Sequence, residues 1–299
     1  MSLLSFDQLY READARRNPV GVAVAGGADA TVLEALRTAA DHGWVTPLLA
    51  GREAEIRQTA VACGVNLHGL AILDTDDPAA AAVAAVRSGR ARLLMKAQVS
   101  SPALMRAVLD PATGLRTGRV ICQVVLLELS RTGRRFLLAD TGICIRPTLE
   151  QKADILRHTV AVAHALGAEV PRVAALAATE TVTEAMPETL DAAALQRRGE
   201  SGEFPGCVVQ GPLSFDLACA AEAGDRKGLS GPVVGAADVL LFPDLLSANL
   251  TVKALMYSAD CRFGGVLCGA ACVVVFMSRA DTTATRLNSL ALALKLAAG

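Results

Sequence analysis

Short runs of apolar, often β-branched residues alternate with longer amphipathic stretches along the whole 299-residue chain, and this alternation limits the fold more than any single motif. The strand-like runs are VGVAVA (20–25), TPLLA (46–50), LAILD (70–74), ARLLM (91–95), RVICQVVLLE (119–128), RFLLAD (135–140), RVAALAA (172–178), GCVVQ (206–210), DVLLFP (238–243), FGGVLCG (263–269) and CVVVFM (272–277). Between them, helical periodicity runs over 30–42, 53–63, 78–89, 101–109, 148–166, 189–198, 214–223, 246–258 and 281–297. Strands that alternate with helices and are punctuated by Gly and Pro predict a mainly parallel sheet. Eleven strands over this length suit two α/β domains.

The longest helical pattern, PTLEQKADILRHTVAVAHALG, opens at Pro147-Thr148 and closes at Gly167, so both ends carry the expected boundary chemistry. It follows LLADTGICIR directly, and a domain crossing is expected near residue 140. QRRGESGEFPG (196–206) reads as a surface loop.

Composition removes several function classes. With 29 basic and 30 acidic residues dispersed along the chain, the net charge is -1, which leaves no electrostatic footprint for nucleic acid or an anionic membrane. One Trp and two Tyr are too few for a base-stacking platform. No run of 18 apolar residues lacks charge, and the N-terminal stretch has no signal-peptide pattern, so a soluble, cytoplasmic protein is expected. Eight cysteines without a C-x-x-C pair read as small core residues in a reducing compartment. Four histidines (42, 68, 158 and 164) lack ligand spacing, and no metal site is expected.

In open α/β sheets, ligands sit beyond the carboxyl ends of strands, where helix N-termini offer N–H groups to anions. Polar clusters fall at four such ends: Lys96 to Ser101, Asp140 to Thr148, Gln210-Gly211-Pro212, and Ser278 to Asp281. Ser278-x-x-Asp281 also has the spacing of a capping box. Its structural reading is therefore the start of the last helix.

Six blocks carry a resemblance. MKAQVSSPALMRAVLDPATGLRTGRV, LLADTGICIRPTLEQKADI, AMPETLDAAAL, VVQGPLSFDLACAAEAGDRKG, ADVLLFPDLLSANLTVKAL and MSRADTTATRLNSLALAL together resemble the phosphate acetyltransferase and phosphate butyryltransferase family, in the family's order, nearest its butyryltransferase branch. The resemblance implies two α/β/α domains with a cleft between them, similar to the isocitrate and isopropylmalate dehydrogenases. With the last helix returning to the first domain, it divides the chain into 1–140 plus 278–299 and 141–277. It also implies a homodimer or larger homo-oligomer. The implied reaction is acyl-CoA plus orthophosphate giving acyl phosphate plus coenzyme A, with coenzyme A as substrate and no tightly bound cofactor.

Residue roles follow from the same resemblance. Ser278 is the hydroxyl that meets the thiol, Arg279 grips the phosphoryl group through its planar fork of donors, and Asp281 is the candidate base. Lys96 and Arg106 are substrate-binding candidates, followed by Arg116 and Arg119. Asp140, Gly211 and Asp216 match positions that shape the substrate cleft. The chain departs from the family pattern at Ala97 (usually Gly), Ser100 (His), Cys144 (Asn), Gln210 (Asp) and Val273 (Pro). Two readings stay open on these residues: an acyltransferase with a reshaped pocket, or a relative that binds acyl-CoA or phosphate without efficient turnover. A dehydrogenase of the same fold is a minor third, since VAVAGGADA lacks a G-x-G-x-x-G pattern.

Overall fold

The computed structural model describes residues 3–276, 278 and 280–298. In chain order the elements are α1 (Phe6–Asp14), β1 (Val20–Ala25), α2 (Ala30–Asp41), β2 (Val45–Gly51), α3 (Glu53–Cys63), β3 (Ala71–Asp74), α4 (Pro78–Arg87), β4 (Leu93–Lys96), α5 (Ser101–Leu109), β5 (Cys122–Leu129), β6 (Arg135–Ala139), α6 (Leu149–Ala165), β7 (Arg172–Leu176), α7 (Pro187–Glu200), β8 (Val208–Leu213), α8 (Phe215–Cys219), α9 (Ala221–Lys227), β9 (Val239–Leu241), α10 (Leu245–Ser258), β10 (Cys261–Cys268), β11 (Val273–Val275) and α11 (Thr283–Leu296).

The chain forms two compact units: Phe6–Arg119 with Phe263–Gly299, and Met1–Ser5 with Val120–Arg262. This differs from the 1–140 plus 278–299 division expected from sequence, because the segment after residue 120 groups with the other unit. The reason lies in pairing: β5 and β6 are an antiparallel hairpin and β6 pairs in parallel with β9. A strand is held by its ladder partners, and β6 finds its partner a hundred residues downstream.

In the first unit the strands lie in the order β3-β2-β1-β4-β11-β10, all parallel except β10. The β1 run VGVAVA is almost entirely buried, as expected for a parallel strand covered on both faces. The chain winds outward from β1 through β2 to β3, then crosses back to place β4 on the other side of β1. The β1/β4 boundary is thus a topological switch point, where open α/β sheets hold ligands. On the covering layer, α11 lays Leu290, Ala291, Leu292, Ala293 and Leu294 into the core.

The second unit orders its strands β5-β6-β9-β7-β8, with β6, β9, β7 and β8 parallel. Its core joins Leu138, Ala174, Leu240 and Leu213 of the sheet to Leu217 of α8 and Ala248 and Val252 of α10. Thr148 caps α6 with the full reciprocal box: its hydroxyl accepts the Gln151 N–H at 3.3 Å, and its own N–H donates to Gln151 Oε1 at 2.9 Å. The stretch expected as a loop from 196 is helical through Glu200. Arg198 holds that last turn, donating to Glu150 on α6 and to Glu203. No helix among the described residues is long and apolar enough to cross a membrane.

Candidate active site

At the carboxyl edge of the first unit, β1, β4 and β11 end side by side. Ala25 pairs with Lys96, and Met95 with Val275. The ladder continues past the strands, with Ala97 N–H donating to Ala25 O at 3.0 Å and Gln98 N–H to Gly26 O at 2.9 Å. Gly26 has a φ of 85°, and a Cβ there would lie 2.7 Å from the Gln98 carbonyl carbon. Only glycine lets these two turns meet. Lys96 is buried at 4% exposure, with its ammonium 5.8 Å from the centre of the Phe276 ring, within cation–π range.

Beyond Phe276 the chain makes a tight turn. Ser278 N–H donates to Asp281 Oδ2 at 2.6 Å, Asp281 N–H returns to Ser278 O at 3.3 Å, and Ala280 N–H reaches Ser278 Oγ at 3.4 Å. Ser278 is exposed and Asp281 buried. This corrects the capping-box reading: α11 starts at Thr283, and its N-cap is Thr282, whose hydroxyl accepts the Thr285 N–H at 3.2 Å. Asp281 therefore closes a turn ahead of the helix and does not cap it. Arg279 lies outside the described residues.

The other basic candidates lie elsewhere. Arg116 bridges Ala270, in the hairpin before β11; because β11 runs from that hairpin towards Ser278, Arg116 sits at the amino edge, opposite the turn. Arg119 is exposed on the same loop, its N–H held by the Thr117 hydroxyl. Arg106 is exposed on α5 and lines an outer groove of about 790 Å³ with Arg87 and Asp77. It stands roughly 9 Å along the helix axis from the Ser100 cap at the carboxyl edge. Ser100, expected from the family pattern to be histidine, accepts the Ala103 N–H at 3.2 Å as the cap of α5.

In the second unit Asp140 follows β6, and its carboxylate accepts four backbone N–H groups: Gln123 at 3.0 Å, Gly142 at 2.9 Å, Ile143 at 3.2 Å and Cys144 at 2.7 Å. It organises its loop as an anion in a nest of amides. Gly211 is demanded by packing, since a Cβ there would meet Ala175 Cβ at 2.7 Å. Gln210 spans the neighbouring loop, accepting from Val233 N–H and donating to Ser230 O. Asp216 is half exposed and pairs with Lys227 at 3.2 Å; a hydrogen bond from Ser214, then Lys227, holds its carboxyl below the usual range despite partial burial.

The model of the phosphate acetyl/butaryl transferase family matches residues 75–294. The chain belongs to this family. It is 39% identical over 275 residues to a phosphate butyryltransferase of Clostridium acetobutylicum, covering 91% of each chain. To a phosphate acetyltransferase of Thermotoga maritima it is 37% identical over 273 residues, 91% of this chain and 93% of the other. A branched-chain phosphotransacylase from Enterococcus faecalis has a similar structure, with a TM-score of 0.82 at 27% identity over 93% of this chain and 99% of that one.

In this member of the phosphate acetyl/butaryl transferase family, four of the chain's own thiols are poor nucleophiles. Burial pushes Cys144, Cys268 and Cys272 up to about 12 and Cys219 up to about 11, which leaves them as neutral thiols near pH 7. Among the described residues no three His, Cys, Asp or Glu form a group that could hold a metal ion.

Sequence reasoning missed Arg286. It is 2% exposed, donates from Nε to Thr31 Oγ1 at 2.7 Å and pairs with Asp29 at 3.5 Å, tying α11 to the cap of α2 just beyond Gly26-Gly27. A signal was present, because Arg286 lies on the same stripe as buried Leu290 and Ala293 (i, i+4, i+7). A charge on an apolar stripe demands a partner.

Proposed function

We propose that this chain exchanges an acyl group between coenzyme A and orthophosphate, acyl-CoA plus phosphate giving acyl phosphate plus coenzyme A, with a short-chain acyl group. Family membership supports the reaction class. The observation that carries the site is the Ser278–Asp281 turn, set beside Lys96 at the carboxyl edge next to the β1/β4 switch point.

In the direction of coenzyme A acylation, the thiol sulfur forms the C–S bond while the acyl C–O bond to phosphorus breaks. Orthophosphate leaves with that electron pair, and the thiol proton passes to a base. Ser278 presents an exposed hydroxyl to the sulfur or to the developing oxyanion, where a placed donor lowers the barrier. Asp281 is our base; its contact with the Ser278 amide fixes the serine relative to the carboxylate. Arg279, adjoining that turn in sequence, supplies the phosphoryl fork, and Lys96 adds positive charge. Arg106, Arg116 and Arg119 are left out of the phosphoryl set because they lie on the outer helical face or on the amino-edge loop. Transfer is direct between the two substrates. No tightly bound cofactor enters the reaction. We place the enzyme in the cytoplasm as a homodimer.

The test is phosphate-dependent thiol release from acetyl-CoA, propionyl-CoA and butyryl-CoA. Release with one or more of these is expected. No release with any chain length would reject the transferase and leave a protein that binds acyl-CoA or phosphate without turnover.

A further inference from the structure

The first turn of α11 follows the Ser278–Asp281 turn and carries no acidic side chain of its own, although a helix N-terminus favours negative charge. α2 supplies one. Glu34 Oε2 accepts the Thr283 hydroxyl at 2.6 Å, and Thr283 is the first residue of α11. The distance is that of a charge-assisted bond. One turn earlier on α2 a second tie reaches α11, because Thr31 Oγ1 accepts from Arg286 Nε at 2.7 Å and donates to Asp29 Oδ1 at 2.9 Å. Residues three apart are neighbours on a helix surface. Thr31 and Glu34 therefore form one edge of α2 that grips Thr283 and Arg286, themselves three apart on α11.

The two ties differ in what they need. Arg286 is buried and its charge is compensated by Asp29, so that pair answers the cost of a buried cation. Glu34 and Thr283 are each half-buried, where water can satisfy both groups and one hydrogen bond adds little net stability. Arg37, one turn further along α2, is committed to Asp41 and the His68 carbonyl. What the Glu34 bond adds is position. α2 is itself anchored by buried Val32, Leu33 and Leu36, and the single hydroxyl proton of Thr283 is given to a carboxylate on that anchored helix. Thr283 lies two residues after Asp281, at most about 7 Å of chain. Asp281 in turn holds the Ser278 amide at 2.6 Å. A line of bonded groups thus runs from the packed face of α2 to the turn that presents the serine.

We infer that Glu34 is a positioning residue for the acyl transfer: by accepting the Thr283 hydroxyl it holds Asp281 where the thiol proton is removed, and it touches neither substrate. The inference rests on Asp281 as the base proposed above. Steady-state thiol release by the purified full chain is measured with phosphate and the acyl-CoA that the wild type turns over fastest, beside thermal melting of each variant. Thr283→Val keeps the β-branched shape and removes the hydroxyl, and Glu34→Ala removes the acceptor. Each is expected to lower kcat about tenfold with the KM for acyl-CoA unchanged. The double variant is expected to be no slower than either alone, because both remove the same bond. Glu34→Gln, whose amide oxygen still accepts, recovers most of the rate. In an Asp281→Asn background Thr283→Val costs nothing further, since the base it positions is gone. A lowered melting transition with kcat unchanged makes the bond a structural tie and overturns the inference. Additive losses in the double variant, or equal losses in Glu34→Gln and Glu34→Ala, overturn it as well. A further loss in the Asp281→Asn background overturns the route through Asp281. Full turnover by Asp281→Asn alone rejects the base, and a wild type without thiol release rejects the transferase; the inference falls with either.

Discussion

Asp281 and Asp140 are both buried carboxylates just beyond parallel strands, one in each unit, yet their surroundings differ in kind. Asp140 spends both oxygens on three backbone amides of its own loop and on that of Gln123 beside it. Asp281 takes the amide of Ser278, whose hydroxyl is at the surface. Both are aspartates past the end of a strand, Asp140 directly after β6 and Asp281 six residues after β11. On the proposed mechanism, what separates scaffold from chemistry is the residue each carboxylate holds: Asp140 fixes the backbone of a loop, and Asp281 holds the amide of a serine whose side chain is exposed. Asp216, half exposed and paired with Lys227, stands between them.

The largest expected effect comes from Asp140→Ala, which strips four buried amides of their acceptor. A loss of about 4 kcal/mol is expected in denaturant unfolding, and a loss under 1 kcal/mol would break the comparison. Next comes Arg286→Ala, which leaves Asp29 without its buried cation; roughly 3 kcal/mol is expected by the same measurement. Wild-type stability there would show that the α11–α2 tie carries no load.

Ser100→Ala removes one helix cap and should cost about 1 kcal/mol. If activity instead falls while stability holds, Ser100 is a substrate contact. The smallest effect belongs to Asp216. Its folded pKa lies below the unfolded value, so the unfolded chain binds more protons and stability rises with pH across the interval between the two values. The contribution is present at neutral pH and fades as pH falls through the range near about 4. Lys227→Met should flatten that slope slightly; an unaltered acid limb would show the pair to be fully screened.

Much of the fold was legible in the residues. β1, α3 and α5 begin and end where their apolar runs, caps and glycines place them. α1 was not read because its buried face, Phe6, Leu9 and Ala13, is thin and set among polar residues. The stretch expected as one helix over 214–223 is two, α8 and α9, separated at Ala220 in extended conformation; no proline or glycine marks the break. The last turn of α7 depends on Glu150 of α6, a partner that local sequence does not reveal.

The site was legible as residues and less so as geometry. Ser278 and Asp281 stand out by spacing, but a capping box and a pre-helical turn share that spacing, and only the Thr282 cap separates them. Arg116 follows Lys96 by twenty residues, and nothing in that interval says that its loop runs to the opposite edge of the sheet. Buried charge is the hardest case. Arg286 could be suspected from its stripe, whereas Asp29, its partner, lies more than 250 residues away.

The central claim is that Asp281 acts on the substrate's proton through a turn it also holds. Asp281→Asn tests it most directly, because the amide oxygen of asparagine can still accept the Ser278 N–H but cannot take a thiol proton. Steady-state thiol release and thermal melting are measured on the same preparation. The expected result is a fall in kcat of about 10²-fold to 10³-fold with the melting transition unchanged. Wild-type turnover in that variant would contradict the account and leave Asp281 with the turn alone.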